Sequence, residues 1–359
     1  MINGLADLSV FESDRVGQSV RKRYASSTDV ANLAGVSQST VSRCFRGDTK
    51  VSPEVKARVI AAAEKLAYRP NLLPRIMLTE QSRIVAFVTG GLHNPFYSRV
   101  LEEFIIRLQD IGCQVMAFHV NGDDTLDAVA PKLSGYRVDA IVSALSVLTD
   151  AALEQFTALG VPLISFNTHL QKKGLYSISS DNFLAGQLAA RHLIEQGGGE
   201  VAFLGGPANN PANIDRCRSF TEESRKHGKT PTVLHDEFSF AGGVRHAMRL
   251  LEMPKIPDAI FCADDLIAIG LMDTFWRTPV KNAPDVLRII GCDDIPQSAW
   301  APYDLTTIQQ DENGMIDRAI SILESMYADT LEEEEGQYIV KCHMVLRSST
   351  HTGVYIPRP

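Results

Sequence analysis

Short apolar runs alternate with helical stretches through most of this 359-residue chain. Strands that are buried on both faces of a parallel sheet have such continuous apolar sequences, and neighbouring parallel strands need a crossover connection, usually a helix. The alternation therefore predicts parallel sheets with helices on both faces, an α/β fold. The runs that support this prediction are 84–89, 115–120, 140–144, 162–166, 201–205, 259–263 and 287–292.

The number of these runs indicates more than one sheet. More than seven strands over roughly 270 residues are typical of two Rossmann-like lobes. In such lobes a ligand binds in the crevice where the carboxyl ends of the strands meet. We therefore expect polar side chains that directly follow strands to face a small molecule.

The composition is that of a globular protein, with 45% hydrophobic and 22% charged residues. Its apolar runs are too short and too interrupted to cross a bilayer. The first 26 residues do not resemble a signal peptide, because Asp7, Glu12 and Asp14 interrupt them and the basic Arg21-Lys22-Arg23 comes late. We expect a cytoplasmic protein without a membrane-spanning segment.

The sequence motifs indicate neither a cofactor site nor an enzyme. The six cysteines form no CxxC pair or Cys/His cluster, so we expect neither disulfides nor a metal site. The glycine-rich stretches at 197–199 and 205–207 complete neither a dinucleotide fingerprint nor a P-loop, and hydrolase and metalloprotease motifs do not occur. We expect no metal, no cofactor and no catalysis.

Positive charge is concentrated near the N-terminus. Between Arg21 and Leu78 the chain has 11 Lys and Arg against 4 Asp and Glu, a local net of +7, so the rest of a chain with net charge −8 carries −15. A basic segment on an acidic protein indicates that this segment alone binds a polyanion.

Two short helices with a tight turn are predicted inside the basic segment. Ser27-Thr28-Asp29 provides N-cap side chains for a helix over 30–34, and Gly35 tolerates the left-handed conformation that ends it. Ser37 is placed to cap a second helix over 38–45. This spacing is typical of a helix-turn-helix.

A third helix is predicted next, with Ser52 as its N-cap and Pro53 at its first position. The second helix would then expose polar side chains suited to base edges and phosphates in the major groove of DNA. A plain three-helix bundle with a polar surface is the alternative, and the basic excess favours DNA binding over it. The polar side chains are Gln38, Ser39, Thr40, Ser42 and Arg43.

The basic segment resembles the headpiece of the lactose-repressor (LacI/GalR) family of bacterial transcription regulators. The similar stretches are 29–37, Thr40-Val41-Ser42-Arg43, Val51-Ser52 and Tyr68-Arg69-Pro70-Asn71. The resemblance implies an all-α helix-turn-helix headpiece over 27–70, in which Thr28 also contacts DNA. Residues 1–26 precede the family pattern, and we expect them to form a disordered N-terminal extension.

The resemblance also implies a hinge helix over 71–82, which orders on DNA and inserts a side chain into the minor groove. Asn71 would cap this helix, and Arg75 would contact DNA. Met77 stands where the family has its wedge leucine, and Pro74 stands where alanine is usual. An ordinary linker is the alternative for this segment.

For residues 83–359 the resemblance implies an effector-binding and dimerisation core like a type I periplasmic sugar-binding protein. The expected first lobe comprises 83–175 and 310–338, and the expected second lobe comprises 176–309 and 339–359. The chain would cross between them near 166–179, 305–311 and 337–341.

The resemblance further implies an effector site built from the ends of strands. A bidentate arginine, acceptor carboxylates and aromatic faces suit a polyhydroxylated ligand such as a sugar. Asp264 stands where an asparagine is usual, so it would present a carboxylate instead of an amide. Helix capping is the alternative for the aspartates, and core packing is the alternative for the aromatics. The implied effector residues are Asn94, Phe96, Asp181, Arg216, Phe238, Asp264 and Asp293.

Together these features predict an allosteric repressor. A homodimer, with further pairing into tetramers left open, would bind a pseudo-palindromic double-stranded operator, and an effector between the lobes would change lobe closure and hinge order. A sugar-binding or sensory module without regulatory output is the alternative from another class of protein. An enzyme that turns over its ligand is a third, which the motifs disfavour.

Overall fold

The computed structural model divides the chain into two compact units, Met1–Gln81 and Ser82–Pro359. It describes residues 25–45, 48, 50–68, 81–120, 126, 129–145, 149–158, 160–170, 172, 174–280, 282–331 and 336–357. Two predicted segments lie outside these ranges: residues 1–24 of the expected N-terminal extension, and the expected hinge residues Asn71, Pro74, Arg75 and Met77. None of the described helices is long and apolar enough to cross a membrane.

Three helices make up the described part of the N-terminal unit: α1 (Ser27–Ala34), α2 (Gln38–Phe45) and α3 (Pro53–Lys65). Gly35 ends α1 at φ 66°, in the left-handed conformation that glycine adopts without steric cost. The predicted helix-turn-helix is therefore confirmed. Buried side chains of all three helices meet in one core: Val30, Ala31, Ala34, Val41, Cys44, Val59, Ala62 and Ala63.

The start of α1 differs from the prediction, which put the first helical residue at 30. Ser26 is the N-cap, because Asp29 N donates to Ser26 Oγ (3.2 Å) and Ser26 N donates to Asp29 Oδ2 (2.8 Å). This reciprocal capping box satisfies two backbone donors and moves the helix start to Ser27. Asp29 therefore lies within the first turn instead of preceding the helix.

The first lobe of the larger unit has a parallel sheet, six-stranded among the described residues. Its strands are β1 (Ile84–Thr89), β2 (Gln114–His119), β3 (Ala140–Ser143), β4 (Leu163–Phe166), β5 (Leu175–Ser180) and β11 (Gln337–Val340), in the order β11-β5-β4-β3-β1-β2. Its helices are α4 (Pro95–Asp110), α5 (Ala130–Leu133), α6 (Asp150–Ala158) and α11 (Glu312–Tyr327). Val85 and Phe87 of β1 enter one core cluster, and Ala86 and Val88 enter another, so the sheet is buried on both faces.

The second lobe repeats this arrangement. Its strands are β6 (Val201–Gly205), β7 (Thr232–His235), β8 (Ala259–Cys262), β9 (Arg288–Cys292), β10 (Thr306–Gln309) and β12 (His343–Val345), in the order β12-β10-β9-β8-β6-β7. Its helices are α7 (Asn182–Glu195), α8 (Pro211–Lys226), α9 (Phe240–Leu251), α10 (Asp265–Arg277) and α12 (Ser348–His351). Only β12 pairs antiparallel within this described sheet. The predicted pair of α/β lobes is thus confirmed.

The boundary between the lobes lies later in the chain than the expected residue 176. β5 pairs with β4 through Ile178 and with β11 through Ser180, so the first crossing follows residue 180 instead of lying near 166–179. β11 likewise extends the first lobe to Val340, two residues past the expected 338. The polar sequence of β5 explains the error, because its buried serines bond to the backbone, as Ser177 Oγ does to Thr168 O at 3.0 Å.

Helices α7 and α8 approach closely because of Gly186. A Cβ atom at this position would overlap Ser219 Oγ and Arg216 O and would stand 2.8 Å from Phe220 N. The backbone of α8 therefore lies against α7 where only a glycine fits, and this contact helps to position Arg216.

We expect Gly186→Ala to lower the free energy of unfolding of the core by about 1–3 kcal/mol, because the added methyl group forces the two helices apart. Urea denaturation measures this loss. Gly135→Ala is the matched control, since an added Cβ there meets nothing within 4 Å. Equal stability of the two variants would contradict the close packing of α7 and α8.

Candidate functional site

Polar side chains gather at the carboxyl ends of the two sheets. Asn94 lies between β1 and α4 of the first lobe, and Asp264 and Asp293 follow β8 and β9 of the second. None of the three is more than 5% exposed. The structure brings these predicted effector residues into direct contact. Asp264 and Asp293 are called the carboxylate pair below.

Asn94 connects the two lobes. Its Oδ1 accepts a hydrogen bond from Phe96 N (2.9 Å), which caps α4 and fixes the orientation of the amide. Its Nδ2 donates to Asp264 Oδ2 (2.8 Å) and to Asp293 Oδ2 (3.1 Å). One amide nitrogen of the first lobe therefore bonds to two carboxylates of the second.

Asp264 is both a helix cap and a crevice residue. Its Oδ1 accepts from Leu266 N (2.6 Å) and Ile267 N (3.3 Å) and so caps α10, while Oδ2 accepts from Asn94. Burial raises the pKa of Asp264 well above its ordinary value, and the charges of Asp293 and Asp265 raise it further. Asp264 therefore caps a helix, as the alternative interpretation proposed, and its other oxygen, Oδ2, still lies at the lobe interface.

Asp293 has an unusual backbone conformation, with φ 114°. Such a conformation costs of order 1–3 kcal/mol and persists only where the surroundings enforce it. Asp293 N donates to Ile308 O (2.9 Å), and Gln310 Nε2 donates to Asp293 Oδ1 (2.6 Å). Burial raises the pKa of Asp293, although Arg216 and the hydrogen bond from Asn94 act to lower it.

A third buried carboxylate, Asp265, lies behind the carboxylate pair. Thr307 Oγ1 donates to its Oδ1 (2.6 Å), and Ile295 N (2.9 Å) and Ser298 Oγ (2.7 Å) donate to its Oδ2. Burial, followed by the charge of Asp293, raises the pKa of Asp265 to about 7 despite these hydrogen bonds. Asp265 therefore joins the ends of β9 and β10 to α10.

Arg216 supplies positive charge to the same region from α8. Its Nε donates to Asn182 Oδ1 (2.8 Å), and its Nη1 donates to Ala263 O (2.6 Å), next to Asp264 in the chain. The residue is 4% exposed. Burial would lower the pKa of Arg216, but Cys292 and the carboxylate pair raise it. The guanidinium is thus the buried countercharge of the aspartates.

Three residues of this region were missed by sequence reasoning: Tyr97, Asn167 and Gln310. Asn167 Nδ2 donates to Tyr97 Oη at 3.4 Å. Burial and the charge of Asp293 raise the pKa of Tyr97 to about 12, so its hydroxyl stays protonated. Asn167 and Gln310 directly follow β4 and β10, so the strand-end rule applied to every strand would have found both. Because β10 has a polar sequence, it was not recognised as a strand, and Gln310 at its end was missed.

Phe238 lies at a second contact between the lobes. A Cβ atom at Gly206 would stand 2.6 Å from three atoms of the Phe238 ring, so the ring covers that glycine. His93 Nε2 of the first lobe donates to Phe238 O (3.3 Å). Phe238, the predicted aromatic, therefore lies at the crevice and is partly buried.

Phe96 and Asp181 are placed differently from the other predicted effector residues. Phe96 is 1% exposed and packs edge-on against Tyr97 (5.2 Å between ring centroids) in the core of the first lobe. Asp181 Oδ1 accepts from Leu184 N (2.8 Å) and caps α7 at the first crossing. Among the described residues no hydrogen bond links its side chain to the carboxylate pair. Core packing and helix capping account for these two positions.

The described ranges contain no group of three His, Cys, Asp or Glu side chains that could hold a metal ion.

Helix α2 carries the polar surface of the N-terminal unit. Arg43 Nε forms an ion pair with Asp48 Oδ2 (2.8 Å), and Gln38 Nε2 donates to Ser27 Oγ (2.8 Å). Partly exposed pairs of this kind contribute little to stability, so a DNA phosphate or base can replace Asp48 at low cost. Of the predicted DNA-contacting residues, Thr28, Gln38, Ser39 and Ser42 are exposed and Thr40 and Arg43 are half-buried.

Two family models match the chain in these regions. Residues 28–71 match the bacterial regulatory proteins of the lacI family, and residues 190–350 match the periplasmic binding protein-like domain. The chain belongs to the lacI family. The first match contains the whole helix-turn-helix, and the second contains Arg216 and the carboxylate pair.

Curated relatives of this lacI-family chain are repressors. The HTH-type transcriptional repressor CytR of Escherichia coli K12 is 27% identical over 341 residues, which cover 91% of this chain and 96% of the relative. The ribose operon repressor of Bacillus subtilis is 28% identical over 296 residues, which cover 82% of this chain and 89% of the relative. This lacI-family protein is accordingly a DNA-binding transcription regulator and not an enzyme.

Solved structures share the fold. The Lac repressor dimer bound to operator and the anti-inducer ONPF superposes with a TM-score of 0.82 at 23% identity, over 91% of this chain and 99% of that chain. The complex of the transcriptional regulator CelR with cellobiose superposes with a TM-score of 0.67 at 24% identity, over 90% and 99%. The headpiece and the two-lobe core thus each have a fold found in these solved structures.

We expect Asp264→Asn to stabilise the ligand-free core at about pH 8 and to have a smaller effect at about pH 5. The raised pKa of Asp264 means that its stabilising contribution is complete below its unfolded pKa and is lost as the pH rises through the folded one. Asparagine keeps the helix cap without a charge. The gain should be on the order of 1 kcal/mol or more, read from thermal unfolding at the two pH values. A variant that is less stable at the higher pH would contradict the raised pKa.

Proposed function

We propose that this regulator is a repressor whose operator affinity is controlled by a small polyhydroxylated effector, a sugar or a sugar derivative, bound between the two lobes. The observation that carries the proposal is the contact of Asn94 with the carboxylate pair across the lobes. A ligand that bonds to these groups exchanges lobe–lobe contacts for lobe–ligand contacts. The ligand thereby changes lobe closure. Its affinity then differs between the two arrangements of the lobes, and allosteric control requires such a difference.

The names of related proteins support this class of effector. One relative is a ribose operon repressor, and one structural neighbour was solved with cellobiose. Carboxylates, carboxamides, a guanidinium and a partly buried aromatic ring are the groups that bind hydroxyl-rich molecules. We assign effector contacts to Asn94, Arg216, Phe238, Asp264 and Asp293.

We propose that α2 lies in the major groove of a pseudo-palindromic operator, bound by a homodimer. The dimer bound to operator described for the Lac repressor supports this arrangement. Thr28 and the polar residues of α2 would contact bases and phosphates. Asn71, Pro74, Arg75 and Met77, outside the described residues, are proposed to form the hinge that enters the minor groove. Because it acts on DNA, we place the protein in the cytoplasm.

Arg43→Ala should weaken binding to an operator selected from random DNA and should relax base preference at one position. A bidentate arginine–guanine contact contributes about 1–3 kcal/mol of discrimination, so we expect a loss of affinity of about fivefold to about a hundredfold. Arg58→Ala is the matched control, since Arg58 is an exposed arginine on α3 of the same unit. If base preference in a gel-shift assay stays unchanged for Arg43→Ala, the recognition face is assigned wrongly.

Operator affinity should also fall steeply with salt, because the basic segment displaces counterions from DNA phosphates. The gel shift repeated at several salt concentrations measures this slope. Removal of residues 1–81, the first compact unit, should abolish binding while the core still folds. A core that retained operator binding would favour another DNA-binding surface.

A thermal-shift screen against sugars tests the effector site, since a ligand stabilises the folded state by mass action. For any sugar that raises the unfolding temperature, Arg216→Lys should reduce affinity in calorimetry. Lysine keeps the buried charge but cannot reproduce the two hydrogen bonds from Nε and Nη1. Full affinity of this variant would remove Arg216 from the proposed site.

A further inference from the structure

The crevice contains more buried carboxyl groups than buried cationic groups. Asp264, Asp265 and Asp293 are each at most 5% exposed, and Arg216 is the one arginine or lysine of the described residues with comparable burial. Burial of an ionised carboxylate is costly unless a countercharge or hydrogen bonds compensate it. One guanidinium cannot neutralise three carboxylates.

The other arginines near the crevice are paired with other carboxylates. Arg99 Nη2 lies 3.1 Å from Glu312 Oε2, and Arg347 Nη2 lies 2.7 Å from Asp294 Oδ1. Arg99 donates to the backbone carbonyl of Asp293 (3.4 Å) and acts on the Asp293 carboxylate only at longer range, where its charge lowers the pKa. These two arginines therefore leave the side chains of the carboxylate pair without additional ion-pair partners.

Two buried acceptor oxygens beside the carboxylates have no hydrogen-bond partner among the described residues: Gln310 Oε1 and Asn167 Oδ1. Gln310 is 3% exposed and Asn167 is 7% exposed. The Gln310 amide bonds to Asp293 through Nε2, so its free oxygen is close to the carboxylate pair. Exchanging its oxygen and nitrogen would set an acceptor against an acceptor, so this orientation is fixed.

We propose that the effector carries an amino group, protonated as an ammonium, which binds at the carboxylate pair and donates to the neighbouring amide oxygens. The inference rests on the proposed function and specifies the class of its ligand, an amino derivative of a polyhydroxylated molecule. An ammonium has three donors and no acceptor, which matches two carboxylates and two amide oxygens without a hydrogen-bond partner among the described residues. Its positive charge also compensates an ionised carboxylate that the single guanidinium does not.

The hydrogen bonds of Asn94 show that a nitrogen donor fits between the two carboxylates. Its Nδ2 lies 2.8 Å from Asp264 Oδ2 and 3.1 Å from Asp293 Oδ2, both within hydrogen-bond range. A neutral sugar could donate hydroxyl protons here but would supply no countercharge to an ionised carboxylate. A phosphorylated or carboxylated sugar would add negative charge and would be repelled.

The experiment compares amino sugars with two uncharged counterparts each, using the full chain. The probes are monoamino hexoses and pentoses, among them glucosamine, galactosamine and mannosamine, each with its parent sugar and its N-acetyl derivative. Thermal shift ranks the probes, and calorimetry measures the affinities of the best set. We expect at least one amine to bind at least about tenfold more tightly than its parent sugar and its N-acetyl derivative.

The variant Asp264→Asn links the preference to the carboxylate. Asparagine keeps the α10 cap, so the fold is retained, and we expect the preference for the amine over its parent to fall by about tenfold or more. Asp258→Asn is the matched control, because Asp258 also accepts backbone N–H groups (Gly199 N at 2.9 Å, Glu200 N at 2.8 Å) but precedes β8 at its opposite end. This control should keep the preference.

Three outcomes overturn the inference: neutral sugars that bind best, an amine panel in which nothing binds, or a preference that survives Asp264→Asn. Tight binding of a neutral sugar would support the proposed function and contradict only the proposal that the effector carries an amino group. If no probe of either kind binds, the proposed amino group is wrong and the proposed sugar class loses its support. The salt-dependent gel shift still tests the repressor function separately.

Discussion

The hydrogen bonds from Asn94 to Asp264 and Asp293 join the two lobes where buried charge is least compensated. The strands place these groups together, since the carboxyl ends of two parallel sheets face one crevice and each strand end leads into a helix. Burial then makes every carboxylate there costly to ionise, which is why cap amides, hydroxyls and one guanidinium surround them. A crevice of this kind is sensitive to any ligand that brings donors or positive charge.

Helix α11 runs from this crevice to the start of the core. Glu312 in its first turn bonds to Arg99, and Tyr327 at its last residue lies under the guanidinium of Arg83 (4.0 Å to the ring centroid). Asp139 fixes the same entry point, because its carboxylate accepts from Ser82 N and Arg83 N (both 2.8 Å). Helix α11 thus contacts both Arg99 beside the crevice and the first residues after the N-terminal unit.

Much of this fold could be predicted because local chemistry specifies it. The apolar runs identified β1 to β4, β6, β8 and β9, and Gly35 marked the turn of the headpiece at φ 66°. The strands that were missed are polar or short, such as β5 and β10, whose serines and threonines are buried by tertiary hydrogen bonds. Periodicity detects apolar burial, and it does not detect a buried polar strand.

The sequence by itself determined the elements, the basic DNA-binding segment and the residue types at the strand ends, because these depend on neighbours a few positions apart. Only the tertiary structure decided which of those strand-end residues act together. Asn94 lies 170 positions from Asp264 and 199 from Asp293, and Phe96, two residues after Asn94, turned out to be core. The charge imbalance at Asp264, Asp265, Asp293 and Arg216 is likewise tertiary, since the strength of an ionic interaction depends on distance and burial that the sequence does not contain.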